Sequence, residues 1–394
     1  MSLRRQLLVS FGVQGAGAAS VLLATLWLGA SLGPEVQGGF SRSKSEVEFI
    51  AAFAMFGLPQ ALFFHVKSGA LGGHAALNWV AWSTLLALPI GAACALLQHA
   101  PADAVPWLLG AAVAALVAHG QLRALLLVRE RTTWFNAVTA APQLLVLAGV
   151  ALAIATTSAA NASTWFIVFA IAFGSTALLA WHRLRATPDA ADVPSASWRA
   201  LGHYGLAAWL TAALSTAAIV AMQRWVEAAE DRAALGQFTL AMTLVQVPLT
   251  PISYAAPLLF RRWMERPGAH PSRRWSGWLF LVLLAVAALV ALLSTRWPDL
   301  GLGAAYTGAT QALALLLVGG AAEAASRVLT IQASASGLPW VAVRAEVMRW
   351  SVLGIGWLAP LPHGLLPLCA VWSAAAIAAA LVFVWHRRAA EVAG

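Results

Sequence analysis

Charge is scarce in this sequence: Asp, Glu, Lys and Arg make up 10% of its 394 residues, against about 25% in soluble domains. That excludes a water-soluble multidomain enzyme, and equally a disordered or fibrous chain. Cysteine is nearly absent. Cys94 and Cys369 sit far apart in apolar runs, so neither a disulfide framework nor a thiolate metal site is implied. Enzyme signatures are missing as well. No His/Glu pair has zincin spacing, no Walker loop or nucleotide fingerprint occurs, and no acid-rich outer loop offers paired carboxylates. The expectation is a protein that is not an enzyme and that carries no metal and no cofactor.

What the sequence has in abundance is apolar length, with 61% hydrophobic residues and a mean hydropathy of +0.77. A helix crosses the hydrocarbon core in about 20 residues. Runs of that length predict twelve spans, near 8–32, 40–66, 74–98, 105–128, 134–156, 163–182, 201–224, 236–260, 276–296, 303–330, 339–360 and 364–386. The first is read as a true span, too long for a cleavable signal peptide and without a small-residue cleavage site. Because cytoplasmic loops retain Lys and Arg, the alternation of charge sets direction. With the amino terminus inside, 19 of the 24 basic residues fall on the inner side, leaving Arg42, Lys44, Arg224, Arg232 and Arg296 at or near the outer side. Both termini are thus expected in the cytoplasm, with the chain in the cell inner membrane. The formal charge of +9 reads as loop charge facing an anionic inner leaflet rather than as a nucleic-acid signal.

An internal repeat divides the chain. Gly38-Gly39-Phe40 with Pro59 recurs as Gly236-Gln237-Phe238 with Pro257, displaced by 198 residues, and Arg123 and Trp181-His182-Arg183 recur as Arg327 and Trp385-His386-Arg387, displaced by 204. Six spans per half make an even number, so the halves enter the membrane in the same direction, related by an axis along the membrane normal. The fold class expected is an all-α membrane protein of twelve transmembrane helices in two six-helix lobes, related by a pseudo-two-fold axis along that normal. An N-lobe over 1–182 and a C-lobe over 199–394 flank a polar cytoplasmic linker at 183–198, with a cavity between the lobes. That layout suggests a transporter.

Short motifs add a resemblance. Leu32-Gly33-Pro34-Glu35 precedes Gly39-Phe40, and Gly57-Leu58-Pro59-Gln60-Ala61-Leu62 lies in span two. Met222-Gln223-Arg224 closes span seven, Leu235-Gly236-Gln237-Phe238-Thr239-Leu240-Ala241 opens span eight, and Pro257 lies near its end. Together these resemble the polysaccharide-flippase branch of the multidrug, oligosaccharidyl-lipid and polysaccharide exporter superfamily. In that family the span-seven position often reads Asp-Arg, whereas Gln223 stands here, which weighs against ion coupling at that position. The resemblance implies two six-helix lobes around a central cavity. It also implies a flippase that turns a polyprenyl-diphosphate-linked oligosaccharide across the inner membrane by alternating access, for O-antigen or exopolysaccharide assembly. The partners implied are that lipid-linked cargo, membrane lipids and other polysaccharide-assembly proteins, with no nucleic acid. With no ATP site, energy comes from a gradient, the membrane potential or consumption of product on the far side. Two rivals stand beside this reading: an exporter of small molecules or drugs with the same fold, and an integral-membrane glycosyltransferase or ligase acting on lipid-linked sugars.

Ionisable residues within a span are costly, about 3 kcal/mol each on insertion scales, so each calls for a reason. The stretch from Arg42 to Glu48 fits two readings. Either it is an exposed outer loop, since Phe49 to Val66 nearly spans alone, or it lies inside the membrane, as the repeat alignment of Arg42 with Leu240 and Lys44 with Met242 implies. In the second case Arg42 with Glu46, and Lys44 with Glu48, share helix faces four residues apart and partly neutralise each other, lining a wet cavity. Arg224 is either a third cation of that cavity or an outer-surface arginine beside Glu227, Glu230 and Asp231. On the inner side His119 precedes Arg123, and Glu323 precedes Arg327, by four residues at equivalent repeat positions. These read as structural ion pairs or as a coupling site, and Glu323 stands out as the only acid deep in an apolar run. Five arginines between Arg261 and Arg274 follow the topology rule or draw in a diphosphate. Of the 19 tryptophans, Trp107, Trp134, Trp181, Trp263, Trp275, Trp297 and Trp385 read as interfacial anchors. Trp27, Trp82 and Trp209 are the cavity candidates. The charge split makes a direct prediction: single cysteines near Asn161 and Asp231 label from outside the cell, and those near Arg131 and Ser336 from inside. Labelling of Asp231 and Ser336 positions from one face would contradict the span count.

Overall fold

The computed structural model describes all residues except 1–2, 68, 98–104, 130, 187–197, 266–271, 337, 361 and 394. Most of the expected linker therefore lies outside the described residues, as do Arg266 and His270 of the arginine-rich loop. Among the described residues the chain is helical, without strands. Helix α1 runs Leu3–Ala54, α2 Leu58–Lys67, α3 Gly73–Leu97, α4 Pro106–Val128, α5 Thr132–Ala155 and α6 Ala162–Arg185. Then follow α7 Trp198–Ala229, α8 Arg232–Glu265, α9 Ser272–Leu293, α10 Ala309–Ala335, α11 Trp340–Leu358 and α12 Leu365–Ala393. Hydrocarbon offers the backbone no water to bond, so helix is the conformation that satisfies every peptide group locally.

The first two predicted spans meet without a loop. α1 crosses twice, with its one non-helical residue, Gly33 (φ 82°), at the turning point. Glycine tolerates this positive φ, and Pro34 both restricts the residue before it and starts the next helical segment without a donor to lose. The single span predicted over 40–66 is instead interrupted, ending α1 at Ala54 and restarting α2 at Leu58. Phe56 (φ 48°) and Gly57 (φ 68°) occupy the left-handed region there. The two parts of α1, the second completed by α2, and α3 to α12 make twelve crossings. α11 carries Arg344, Glu346 and Arg349, so its window is less apolar than the others, yet its 19 residues suffice to span.

The chain divides into two compact units, one of residues 1–24 and 39–220, the other of 25–38 and 221–394. Each is arranged around one helix. In the first, α4 packs against α2, α3, α5 and α6; in the second, α10 packs against α8, α9, α11 and α12. Both central helices have 67% of their apolar window buried, twice the share of α3, α5 or α6. Phe40 and Phe238, equivalent in the repeat, are both almost completely buried, the first edge-on to Trp165 at 4.8 Å.

Lipid gives helices no hydrophobic reason to associate, so close packing and internal hydrogen bonds do the work. In the first unit Gly91 of α3 faces Gly110 of α4 so closely that a Cβ on Gly91 would lie 2.8 Å from the Gly110 Cα. Gln14 donates to Asn136 at 2.7 Å, Asn136 to Ser10 at 3.0 Å, and Ser83 to Gln121 at 2.8 Å, tying α1 to α5 and α3 to α4. Residues 198–220 of α7 belong to this unit, where the Trp209 indole N–H donates at 2.8 Å to the Phe53 carbonyl, which at the helix break also accepts from the Phe56 N–H at 3.3 Å. The rings of Phe53 and Phe56 pack against Trp209, with centroids 5.4 and 5.8 Å away. In the second unit the segment 25–38 is held by buried Gln37, which accepts from the Tyr306 hydroxyl and donates to the Gly236 carbonyl at 3.2 Å. Leu26 packs there against Leu240, Tyr306 and Ala309.

Trp263, expected as an interfacial anchor, is buried at 5% exposure; α8 continues past the predicted end of its span and carries this ring inward. Trp107, Trp297 and Trp385 are exposed, as are Trp27 and Trp82. The α3–α4 crossing is testable. Gly110→Val adds volume against the Leu88 carbonyl, and overpacking of this kind costs about 1–3 kcal/mol. The detergent-solubilised protein is expected to lose about 5 °C in Tm, while Gly277→Val, whose Cβ would meet open space, leaves Tm unchanged.

Candidate functional site

Chemistry-bearing residues gather in two places, one in each unit. In the first unit, the second part of α1 presents Phe40, Lys44, Val47 and Glu48 on one face, since positions four and seven apart recur on a helix side. With Val21, Gln143 of α5 and Phe169 and Phe173 of α6 they line a narrow cleft of about 20 Å³. That is room for about one water molecule. Residues 40–54 are helix throughout, and Ser41, Ser43, Ser45 and Glu46 are buried. Lys44 Nζ meets Glu48 Oε1 at 2.8 Å, and Arg42 Nε meets Glu46 Oε1 at 3.1 Å. Each cation so near hydrocarbon is thus offset by a carboxylate one turn on, which lowers the cost of placing either charge there. The cleft is mostly apolar, with the rings of Phe40, Phe169 and Phe173 in its wall and the Lys44–Glu48 pair among its lining residues. Arg42 belongs to the first unit and Arg224, a partly buried residue of α7, to the second. Among the acids near Arg224 in sequence, Glu227 pairs with Arg232 at 3.2 Å, Glu230 accepts from the Gly364 N–H at 2.6 Å, and Asp231 accepts from the Ala234 N–H at 2.6 Å.

The second gathering lies in the second unit, where α8, α10 and α11 meet. Glu323 binds Arg327 at 3.3 Å through one oxygen and Arg349 at 2.6 Å through the other. Arg327 extends to Ser253 at 2.8 Å and to Gln246 at 3.0 Å. Arg349, 4% exposed, also faces Glu346, whose Oε2 lies 3.0 Å from its Nε without hydrogen-bond alignment. Its guanidinium sits 5.7 Å from the Trp372 ring centroid. Two acids and two bases form a closed, neutral network in which both oxygens of Glu323 are held.

The local Glu323–Arg327 pair was legible from its spacing; the larger partner, Arg349, was not. Arg349 counts in the sequence as an inner-side topological charge, and Glu323 is not the only acid deep in an apolar run, because Glu346 is buried beside it. The signal available was Glu346 and Arg349 standing three apart inside a predicted span. At the equivalent place in the first unit, His119 does not pair with Arg123. Its Nδ1 lies 3.1 Å from the Thr176 hydroxyl, its ring edge-on to Phe173 at 5.2 Å, while Arg123 lies over Phe135 at 5.9 Å. The repeat therefore carries a neutral polar contact in one half and an ionic network in the other. Among the described residues no three His, Cys, Asp or Glu side chains gather as a metal site would require.

Removing one member of a buried ion network strands its partners, at a cost of about 3–5 kcal/mol. Arg349→Met is expected to lower Tm by about 10 °C, and the double variant Arg349→Met, Glu346→Met to lower it by less, since it strands no carboxylate on α11. Thermal melts of both proteins in detergent check this; equal losses would show that Glu346 does not depend on Arg349.

No protein-family model matches the sequence, and no curated protein matches it. Solved structures do match the fold along nearly the whole chain. An inward-facing multidrug resistance MATE family transporter of the MOP superfamily superposes with a TM-score of 0.72 at 16% identity, covering 95% of each chain. A MOP superfamily transporter from Pyrococcus furiosus, described as having a binding pocket of reverse polarity, gives 0.65 at 14% identity over 98% of this chain and 94% of its own. The Vibrio cholerae MATE transporter VcmN in its bent form gives 0.60 at 17% identity, covering 98% of both. At these identities the likeness is one of fold: the chain has the two-lobed, all-helical architecture of MATE transporters.

Proposed function

We propose that this protein is a membrane transporter that exports small amphipathic molecules by alternating access, with both termini in the cytoplasm. The observation that carries this is the agreement of fold over 95% of the chain with a transporter described as a multidrug resistance MATE family member. The chemistry of the site agrees with it. Lys44 and Glu48, paired beside aromatic rings of α1 and α6, leave neither sign of charge in excess on this face, which favours an amphipathic solute over a multiply charged anion. The Glu323–Arg349–Glu346–Arg327 network supplies a place where a proton or cation would change the charge balance, and so a means of coupling to a gradient. A protein of this kind needs no nucleotide.

A second reading keeps the fold and changes the cargo to a polyprenyl-diphosphate-linked oligosaccharide, flipped for polysaccharide assembly. Arg42, Lys44 and Arg224, three cations carried on predicted spans, favour it. Arginine bonds phosphate oxygens through two N–H groups, and Coulomb attraction grows as the dielectric falls.

Expression of the wild type in an efflux-deficient host is expected to lower accumulation of a fluorescent amphipathic cation several-fold. Glu323→Gln is expected to abolish this at unchanged membrane abundance. If accumulation is unaffected and polysaccharide assembly in a flippase-deletion strain is restored instead, the cargo is the lipid-linked sugar. In that case Arg42→Ala, Arg224→Ala removes assembly, and Arg→Lys at either position retains part of it.

A further inference from the structure

A groove of about 440 Å³ lies in the second unit between α9, α10 and the start of α12. It shares no residue with the ionic network, and its walls are almost wholly apolar. Ala287, Ala288 and Ala291 lie on one face of α9, and Ala314 and Val318 on one face of α10, at the spacing that brings residues three and four apart together. Leu366 closes the α12 side. Alanine accounts for this shape. In the first unit the crossing of α3 with α4 is shut by glycine, with Gly110 so near α3 that a Cβ there would lie 2.5 Å from the Leu88 carbonyl oxygen. The position displaced by 204 residues from Gly110 is Ala314, which carries that Cβ. Its methyl keeps the second crossing from closing to the glycine distance, and the alanines of α9 are too short to fill the gap that is left.

The groove has the dimensions of one hydrocarbon chain. It runs from Ser294, just past the end of α9, down to Leu284, a length of about 15 Å at 1.5 Å per residue, or half of a core roughly 30 Å thick. An apolar cavity of about 150 Å³ takes a benzene ring, so this volume takes about eighteen carbon atoms. Ala288 and Ala291 are exposed, so the groove opens sideways, and α9 has only 17% of its apolar window buried, against 67% for α10. Two side-chain donors stand at the mouth. The Trp297 carbonyl accepts from the Thr310 hydroxyl, and the Pro298 carbonyl from the Gly308 and Thr310 N–H groups at 3.1 and 3.2 Å. These bonds bring Arg296 and Gln311, the adjacent residues, to the same end of the groove. The hydroxyls of Ser294 and Thr295 turn back to the Ala291 and Leu292 carbonyls. Both oxygens of Asp299 are taken by the Gly301 and Gly303 N–H groups, and Glu230 by that of Gly364. Among the described residues nothing pairs with the Arg296 guanidinium or the Gln311 carboxamide.

We propose that this groove holds one acyl chain of a membrane phospholipid, whose phosphate is bound at the mouth by Arg296 and Gln311. Water does not fill a cavity without polar partners, whereas a chain of the surrounding leaflet already has the length and direction to enter. Arginine bonds phosphate oxygens through two N–H groups, and the carboxamide adds a further donor. The charge at the mouth is therefore complementary to a phosphodiester, while the walls are complementary to its tail. A chain lying between α9 and α10 also supplies the dispersion contacts that the facing alanines cannot make with each other. The site is independent of which cargo the protein carries.

The test uses the full chain reconstituted in vesicles containing phosphatidylethanolamine with a diazirine midway along one acyl chain, and maps the photo-crosslinks by peptide mass spectrometry. Labels are expected to concentrate on residues 284–294 and 311–318. Ala291→Trp, which fills the groove from an exposed position, is expected to lower them about tenfold, as when roughly two methylenes lose their cover. Ala288→Trp does the same independently, and Ala285→Trp, at an exposed position of α9 outside the groove, leaves them unchanged. Arg296→Ala with Gln311→Leu lowers labelling several-fold, and Arg296→Lys alone retains part of it. Diacylglycerol carrying the same diazirine labels the wild type as weakly as the phospholipid labels that double variant. Labelling spread evenly around α9 and indifferent to both tryptophans marks ordinary boundary lipid and overturns the proposal, as does equal labelling by diacylglycerol and phospholipid. Labelling abolished by a fluorescent amphipathic cation makes cargo the occupant, and a disulfide-linked dimer through Ala288→Cys in a Cys94→Ala, Cys369→Ala background makes it a second copy of the chain; either result overturns the lipid assignment.

Discussion

The constraint on which this fold depends is that hydrocarbon leaves no polar group to water. Among the described residues, the main breaks in the helices and several buried polar side chains find partners within the chain. In the last turn of α1 the Phe53 carbonyl, which also accepts from the Phe56 N–H at 3.3 Å, is bonded by the Trp209 indole; where α1 turns at Gly33, Pro34 removes a donor that would otherwise need one. Asn136 bridges Gln14 and Ser10, and the carboxylate of Glu323 is shared between Arg327 and Arg349. The same constraint makes every such partner a fixed point of the architecture, because losing it costs more than it would beside water.

Helix association then falls to shape. The contacts of Gly91 with Gly110 and of Gly319 with Ser373 bring α3 to α4 and α12 to α10, and so build a central helix into each unit. Small residues here are not merely tolerated; they set the distances at which dispersion and weak backbone contacts act. The two halves share this scaffold and differ in its chemistry. His119 with Thr176 is a neutral pair, whereas its repeat-equivalent Glu323 anchors four charges. The asymmetry gathers the ionisable groups at this repeat position into the second half and leaves a neutral hydrogen bond in the first.

The sites read most easily from sequence were those made within one helix turn. Arg42 with Glu46, Lys44 with Glu48 and Glu323 with Arg327 all follow from the 3.6-residue period, which brings residues four apart to one face whatever surrounds the helix. His119 and Arg123 have the same spacing and do not pair. Thr176 on α6 and Phe135 on α5 offered each a nearer partner, and spacing carries no information about neighbouring helices.

Apolar run length, charge alternation and the offset of 198 and 204 residues by themselves determined the membrane class, the twelve crossings and the six-plus-six repeat. These are set by transfer free energy and by helix rise, both local properties of the chain. Only the tertiary structure decided that Arg349 and Glu346 join Glu323, that Tyr306 reaches Gln37, and that Gly236 and Gly205 are points of backbone contact. These pairs are 26, 23, 269 and about 150–200 residues apart; they depend on which helix faces meet. Lipid is as apolar as leucine, so hydrophobicity cannot specify those faces, and they are chosen by the fit of small residues and the few polar groups that must find one another.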